Sequence, residues 1–324
     1  EIYSTSGAFA AIHSDLTVTA WGKDVKGGEI PPKLGTLTKI VTIFSTSSAF
    51  AALDINGNVY AWGDPQQGGN PPSTGLTNIK IIYSNQFAFA AISYDDINGE
   101  NHVTTWGSHQ KGGNTKNLKN VKAIYSTLSA FTAIKYDNTL FAWGSNNDGG
   151  SLPSGKDISH VERNFSCYSA FCALINDGSI VCYGDAQRGG ASPAGLNNVT
   201  HIYSSGDAFT AIINNGTVVS WGKITGTSTD MVAPYGIMNV HTVYGQTLSH
   251  SLSNAPTDYI PLSSAPTSTP TSAPSLPTST PSHAPIAGPS SIPTSKPSLV
   301  YQLDSTFLFE LGAPWPSFRR SSLG

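Results

Sequence analysis

Charge is scarce in this chain of 324 residues: Asp, Glu, Lys and Arg together make up 11%, against about a quarter in an ordinary soluble domain. The formal net charge is −3, and the 17 Lys and Arg residues are scattered. Tracking a nucleic-acid backbone needs clustered cations, so nucleic acid is not an expected partner. With so little charge, neutral polar groups must keep the chain in solution, and covalently attached glycan is one way to supply them. Long hydrophobic runs are also missing. No stretch of 18 apolar residues occurs, so no membrane-spanning helix is expected. There are three cysteines, Cys167, Cys172 and Cys182, with no Cys-x-x-Cys pair among them, which argues against a zinc site. The chain begins at Glu1 rather than Met, which reads as a processed product or a fragment.

Catalytic signatures are absent too. There is no Gly-x-Ser-x-Gly elbow, phosphate loop or His-Glu-x-x-His run. The eight histidines are dispersed, from His13 to His283. The runs Asp54–Asn58 and Asp95–Glu100 faintly resemble calcium loops without the full ligand spacing, and a turn is the preferred reading of both. No catalytic residue, metal site or cofactor is expected, and the chain does not read as an enzyme.

What is present is a repeat. The pair Ala-Phe recurs at residues 8–9, 49–50, 88–89, 130–131, 170–171 and 208–209, a period of 38 to 42. About ten residues after each pair stands an aromatic followed by glycine, the first being Trp21-Gly22 and the fifth Tyr183-Gly184. In five of the six units a Gly-Gly pair follows; the sixth reads Lys223-Ile-Thr-Gly-Thr instead. Each unit reads as three short strands, the last two joined by a hairpin at signals such as Asn56-Gly57 and Asp177-Gly178. The apolar runs are too short for helices. About 40 residues of repeated antiparallel strands is the spacing of a β-propeller blade, with a stack or solenoid of such sheets as the alternative. The small residues of the second strand let neighbouring sheets approach. The Trp fills the gap between them, and the Gly after it permits a turn that a side chain would block. A Trp stripe could instead be a platform on which sugars stack.

The unit "Val-x-x-Ile-x-Ser…Ala-Phe-Ala-Ala-Leu-x-x-x-Gly-x-Val-x-Ala-Trp-Gly" resembles the regulator of chromosome condensation repeat, in the short form found in surface and secreted proteins. The run Gly245-Gln-Thr-Leu-Ser-His250-Ser-Leu252 is similar to that family's Gly-x-x-His-Ser-Leu. The resemblance covers residues 1 to about 252 and implies an all-β propeller of about seven blades. Six units are complete. A partial seventh has strands at Asn239–Val243 and Ser249–Leu252 and no third strand. The resemblance leaves function open, since propellers of this kind serve as exchange factors, enzyme regulators and scaffolds. Phe stands in units one to six where the family usually has His, and nothing resembles a nucleotide-exchange wedge.

Aligning the units pairs positions ten residues apart across each hairpin: Ala10/Ala20, Ala51/Ala61, Thr132/Ala142, Cys172/Cys182 and Thr210/Ser220, with Ala90/Thr105 stretched by an insertion. Both positions are small throughout, and both become Cys in one unit. A Cys172–Cys182 disulfide is therefore expected. A three-residue bulged turn would put the two opposite one another, and a two-residue turn on opposite faces. Cys167 is left as a buried thiol or a partner for another chain. A disulfide implies an oxidising compartment, so the chain is expected outside the cell or at its surface.

After residue 254 the composition changes to Pro, Ser, Thr and Ala. We divide the chain into a propeller at 1–254, a stalk at 255–298 and a docking tail at 299–324. The stalk reads as extended polyproline II, with the composition of an O-glycosylated stalk. The acceptors that follow its prolines are Thr267, Thr271, Ser275, Thr278, Ser282, Ser290, Thr294 and Ser298. A linker without sugar is the plainer alternative. The Pro-Thr/Ser-x-x pattern resembles linkers in surface proteins of diatoms and related algae. Asn-x-Ser/Thr sequons stand at Asn164, Asn198 and Asn215. In the tail, residues 299–311 are apolar and rich in strand formers. Val300, Tyr301, Leu303, Phe307, Phe309 and Leu311 read as a strand that completes a blade by strand addition. The stalk could span on the order of 130 Å as polyproline II, far more than closing its own ring needs, so donation to a neighbouring copy is favoured. The expected function is a structural subunit of an extracellular glycoprotein filament or surface coat, a head-to-tail homopolymer. The alternative is a secreted or surface-displayed binding module of the lectin or adhesin kind.

Overall fold

A computed structural model describes residues 1–74, 76–95, 99–115, 117–156, 158–224 and 229–232. The partial seventh unit, the stalk with its O-glycosylation acceptors and the tail from Val300 to Leu311 lie outside the described residues.

The described chain is all-β, apart from short 3-10 turns. Unit one has strands Ile2–Ser4, Ala8–Ile12 and Val18–Gly22; unit two has Ile40–Ser45, Ala49–Asp54 and Val59–Gly63. Unit three has Ile79–Ser84, Ala88–Asp95 and Glu100–Gly107; unit four has Val121–Ser126, Ala130–Lys135 and Leu140–Gly144. Unit five has Val161–Ser166, Ala170–Ile175 and Ile180–Gly184; unit six has Val199–Ser204, Ala208–Ile213 and Val218–Gly222. Each unit is its own three-stranded antiparallel sheet, ordered first-second-third. First strands of successive units lie against one another. Sheets following one another in this way are consistent with a β-propeller.

The hairpins form because their turn chemistry is written into the sequence. In unit five, Ile175 N–H donates to Ser179 O and Gly178 N–H to Ile175 O, a three-residue loop closed by Gly178 at φ 80°. The same left-handed position falls on Gly57, Gly216, Asn138 and Leu16, with φ from 60° to 82°. Glycine and asparagine adopt it readily; Leu16 does so at a cost. Carboxylates fasten the loops. Asp137 Oδ1 accepts from the Thr139 N–H and hydroxyl, and Asp54 accepts from the N–H groups of Asn56 and Asn58. The Asp54 carboxylate is thus taken by its own turn, and among the described residues no group of three or more metal-ligating side chains occurs.

The core sits between sheets. Five hydrophobic clusters each join one unit to the next, as when Tyr3, Ala8 and Ala10 meet Ile40, Ile43, Phe50 and Trp62. Ala49, Phe50, Ala51 and Ala52 are fully buried, because a strand with a sheet on either face must be apolar on both. One feature had no clear signature in the sequence. Between the aromatic-Gly pair and the Gly-Gly pair, units one to five each make a single 3-10 turn: Asp24–Lys26, Pro65–Gln67, His109–Lys111, Asn146–Asp148 and Ala186–Arg188.

Candidate assembly and modification sites

The 3-10 turn exists to deliver the Gly-Gly pair onto the next unit. The first glycine of each pair is left-handed, with φ of 105° at Gly68, and a Cβ built there would stand 2.5 Å from Phe89 of the following unit. Its counterparts Gly27, Gly112, Gly149 and Gly189 meet Phe50, Phe131, Phe171 and Phe209 at 2.6 Å. The second glycine packs on its own unit, a Cβ at Gly69 falling 2.2 Å from Gly63 O. The carbonyl of the first glycine is then used. Trp62 Nε1 donates to Gly27 O at 2.9 Å, and Trp106, Trp143 and Trp221 donate to Gly68, Gly112 and Gly189 at 3.0 Å. Each Phe packs against the aromatic of its own unit with ring centroids 5.1 to 5.8 Å apart. The stripe of aromatics is inter-unit packing in units two to six. Trp62, Trp106, Trp143, Tyr183 and Trp221 are all buried, so they offer no stacking platform to a sugar.

Unit five departs from the pattern and corrects itself. Tyr183 has no indole N–H for Gly149; its hydroxyl donates instead to Thr132 Oγ1 at 3.1 Å. Thr132 is fully buried at a position that is alanine in unit two. Burial pushes the Tyr183 hydroxyl far above its ordinary pKa, so it remains a donor.

Unit one differs in its exposure. Phe9 and Trp21 stack at 5.6 Å like the other pairs, yet they are 47% and 46% exposed. No preceding unit is there to cover them among the described residues.

The cysteines resolve. Cys172 and Cys182 face one another in register, with Cα atoms 3.9 Å apart and a disulfide between them. The three-residue loop is what puts them opposite. Cys167 is buried, and its Sγ lies 3.1 Å from Arg188 O as donor. That is the role of Thr46 toward Gln67 O and Thr127 toward Asp148 O. Burial pushes the Cys167 thiol up to about 11. Of the two readings left open for Cys167, the buried thiol is the one the fold supports.

The sequons fall in unlike places. Asn215 is exposed on the hairpin turn of unit six, where its Oδ1 accepts from Thr217 N–H. Asn198 is exposed in the left-handed position (φ 55°) before a first strand, its Nδ2 donating to Asn197 Oδ1. Asn164 lies inside strand Val161–Ser166, 1% exposed, with both side-chain polar atoms shut off from solvent. An oligosaccharide cannot be carried there in the folded chain.

No protein-family model matches the sequence, and no curated protein matches it. Among solved structures, Prp20p from Saccharomyces cerevisiae, studied for its binding to Gsp1p and histones, is 16% identical over 71% of this chain and 74% of its own, with a TM-score of 0.41. The ectodomain of the Physcomitrella patens receptor kinase CR4 is 16% identical over 68% of this chain and 62% of its own, at 0.43. The CRINKLY WD40 ectodomain of the Arabidopsis thaliana receptor kinase ACR4 is 16% identical over 69% of this chain and 85% of its own, at 0.40. Likenesses this distant assign no activity to this chain.

Proposed function

We propose that this chain is a non-enzymatic structural subunit of an extracellular glycoprotein filament or surface coat. The observation that supports it best is how the repeated residues are used. In units two to six the Phe, the aromatic after it and the first glycine of the preceding Gly-Gly pair are used to lock one unit to the next, and the repeat sets out no reactive group among the described residues. The hairpin disulfide suits an oxidising compartment. The exposed amides of Asn198 and Asn215 suit a glycosylated one. In this reading residues 255–298 form an O-glycosylated stalk. Residues 299–311 donate a strand to the partial seventh unit of a neighbouring copy, building a head-to-tail homopolymer.

A secreted binding module is the competing reading. It is favoured by a shallow groove between units two and three lined by Pro65, Pro71, Pro72 and His109. Electron microscopy of the native, unreduced chain and of a chain lacking residues 299–311 separates the two. Filaments that vanish on deletion, with the units still folded, support the structural subunit. Monomers in both samples overturn it in favour of the displayed module.

A further inference from the structure

The loops that lock the units together also build a groove. Between units two and three, residues of the 3-10 turns Pro65–Gln67 and His109–Lys111 line a cleft of about 780 Å3, within the range of about 300–1,000 Å3 typical of ligand sites. Both turns are anchored. Trp106 Nε1 donates to Gly68 O at 3.0 Å. A Cβ at Gly69 would fall 2.2 Å from Gly63 O, and one at Gly113 2.5 Å from Gly107 O. Walls packed this closely hold their shape without a ligand, which lowers the cost of ordering them on binding.

The lining of the groove is uncharged: no Asp, Glu, Lys or Arg belongs to it. That sets this junction apart from the other four between units one and six. At the aligned positions the sequence carries Asp24, Glu29 and Asp64 between units one and two, Lys116 between three and four, Asp185 between four and five, and Lys223 between five and six. In place of charge stand side chains that both donate and accept. Gln66, Asn70, His109, Gln110 and Asn114 line the groove and are exposed. None of these five side chains is held by a hydrogen bond among the described residues. Each of the four amides offers a carbonyl oxygen beside an NH2 group. Pro65, Pro71 and Pro72 add apolar ring surface to the same lining.

This chemistry narrows the ligand. A phosphate, sulfate or carboxylate would find no Lys or Arg in the lining, and a cationic ligand no Asp or Glu. A wholly apolar ligand would take water from the amides and return no hydrogen bond. Paired donors and acceptors beside apolar rings suit a ligand whose own polar groups do both and surround an apolar ring. A sugar has that form, since every hydroxyl both donates and accepts. We propose that the groove between units two and three is a binding site for an uncharged saccharide. Asn70 and Asn114, which follow the two Gly-Gly pairs, hydrogen-bond its hydroxyls, and the prolines pack against its C–H surface. The buried tryptophans take no part as stacking platforms. The saccharide is a free polysaccharide or a sugar covalently carried by this chain, because both present the same hydroxyls. The site belongs to the repeat units themselves and does not depend on the docking of residues 299–311.

Titration calorimetry on the full native chain tests it, beside the double variant Asn70→Ala/Asn114→Ala. Both changed residues are exposed, so the thermal midpoint should stay where it is. The probes are neutral hexasaccharides of glucose, mannose, galactose and xylose, the acidic hexagalacturonate, and the unglycosylated peptide of residues 263–298. At least one neutral hexasaccharide should bind at least tenfold more tightly than hexagalacturonate and the peptide, and the double variant should bind it at least tenfold more weakly. Repeating the titration after enzymatic deglycosylation of the chain separates the two sources. Equal binding before and after assigns the groove to a free polysaccharide. Binding that appears only afterwards assigns it to the chain's own sugars. The proposal is overturned if no neutral hexasaccharide binds in either state, if the double variant binds within tenfold of the parent, or if hexagalacturonate or the peptide binds as well. Filament formation is read separately, from the deletion of residues 299–311.

Discussion

Gly68 is a position where no side chain can follow the backbone. Its φ is 105°, and a Cβ would stand 2.5 Å from the Phe89 ring. Gly68→Ala adds backbone strain of about 1–2 kcal/mol to an overpacked core, which costs about 1–3 kcal/mol more. Gly155 also has positive φ, at 73°, with nothing within 4 Å of a Cβ, so Gly155→Ala should lose the strain alone. Urea denaturation of the two variants reads the difference; equal losses would mean that close approach contributes nothing. Asp137 provides a pH test. The Thr139 hydroxyl, then the Thr139 N–H and Lys135, hold its carboxyl down to about 2 from an ordinary 3.8. The folded pKa is depressed, so the hairpin's stabilisation is complete above about 3.8 and is lost as pH falls through about 2. Carboxyl chemical shifts followed by NMR should place the Asp137 midpoint well below that of Asp137 in the urea-unfolded chain. Glycan mapping by mass spectrometry is the third residue-scale test. Sugar is expected at Asn215 and Asn198, and an unmodified Asn164 in the folded product.

Four of the hairpins are also connectors. The turn carbonyls of Leu16, Gly57, Asn138 and Gly178 accept the first N–H of the next unit's strand, from Ile40, Ile79, Val161 and Val199. Unit three has a longer hairpin, Ala88–Asp95 with Glu100–Gly107, and no turn carbonyl is given to the first N–H of unit four among the described residues. A side chain substitutes for the missing peptide. Asn101 Oδ1 accepts from Val121 N–H and its Nδ2 donates to Val121 O, both at 2.7 Å. Asn101 is 5% exposed, so Asn101→Ala leaves two buried backbone groups unpaired, at about 1–3 kcal/mol each. Asn101→Asp keeps the acceptor but sets a carboxylate against the Val121 carbonyl, and should be no better. Thermal unfolding of both variants checks this. An Asp variant as stable as the parent would show that water reaches the junction.

A chain of units that each touch only their neighbours is stabilised junction by junction. Phe50→Ala removes a fully buried ring from the first junction and should cost about 3–5 kcal/mol. Phe9→Ala, at the same place in the repeat but 47% exposed, should cost about 1–2 kcal/mol in the isolated chain. Denaturant unfolding of both compares an inner with an outer junction. Equal costs would show that the unit-one face is already covered.

The sequence by itself determined the units. The Ala-Phe period, the aromatic-Gly pair and the turn residues sufficed for six three-stranded sheets, because strand pairing within a unit is local and its turns are short. Two small positions turning to Cys together sufficed for the disulfide, because the bulged three-residue loop fixes register. The tertiary structure decided what joins the units. That Gly-Gly sits on the following Phe, that Cys167 stands in for a threonine, that Tyr183 turns to Thr132 and that Asn164 is sealed inside a strand all depend on contacts between residues far apart in the chain. Periodicity shows that such residues recur, but only the packing of one sheet on the next shows which of them meet.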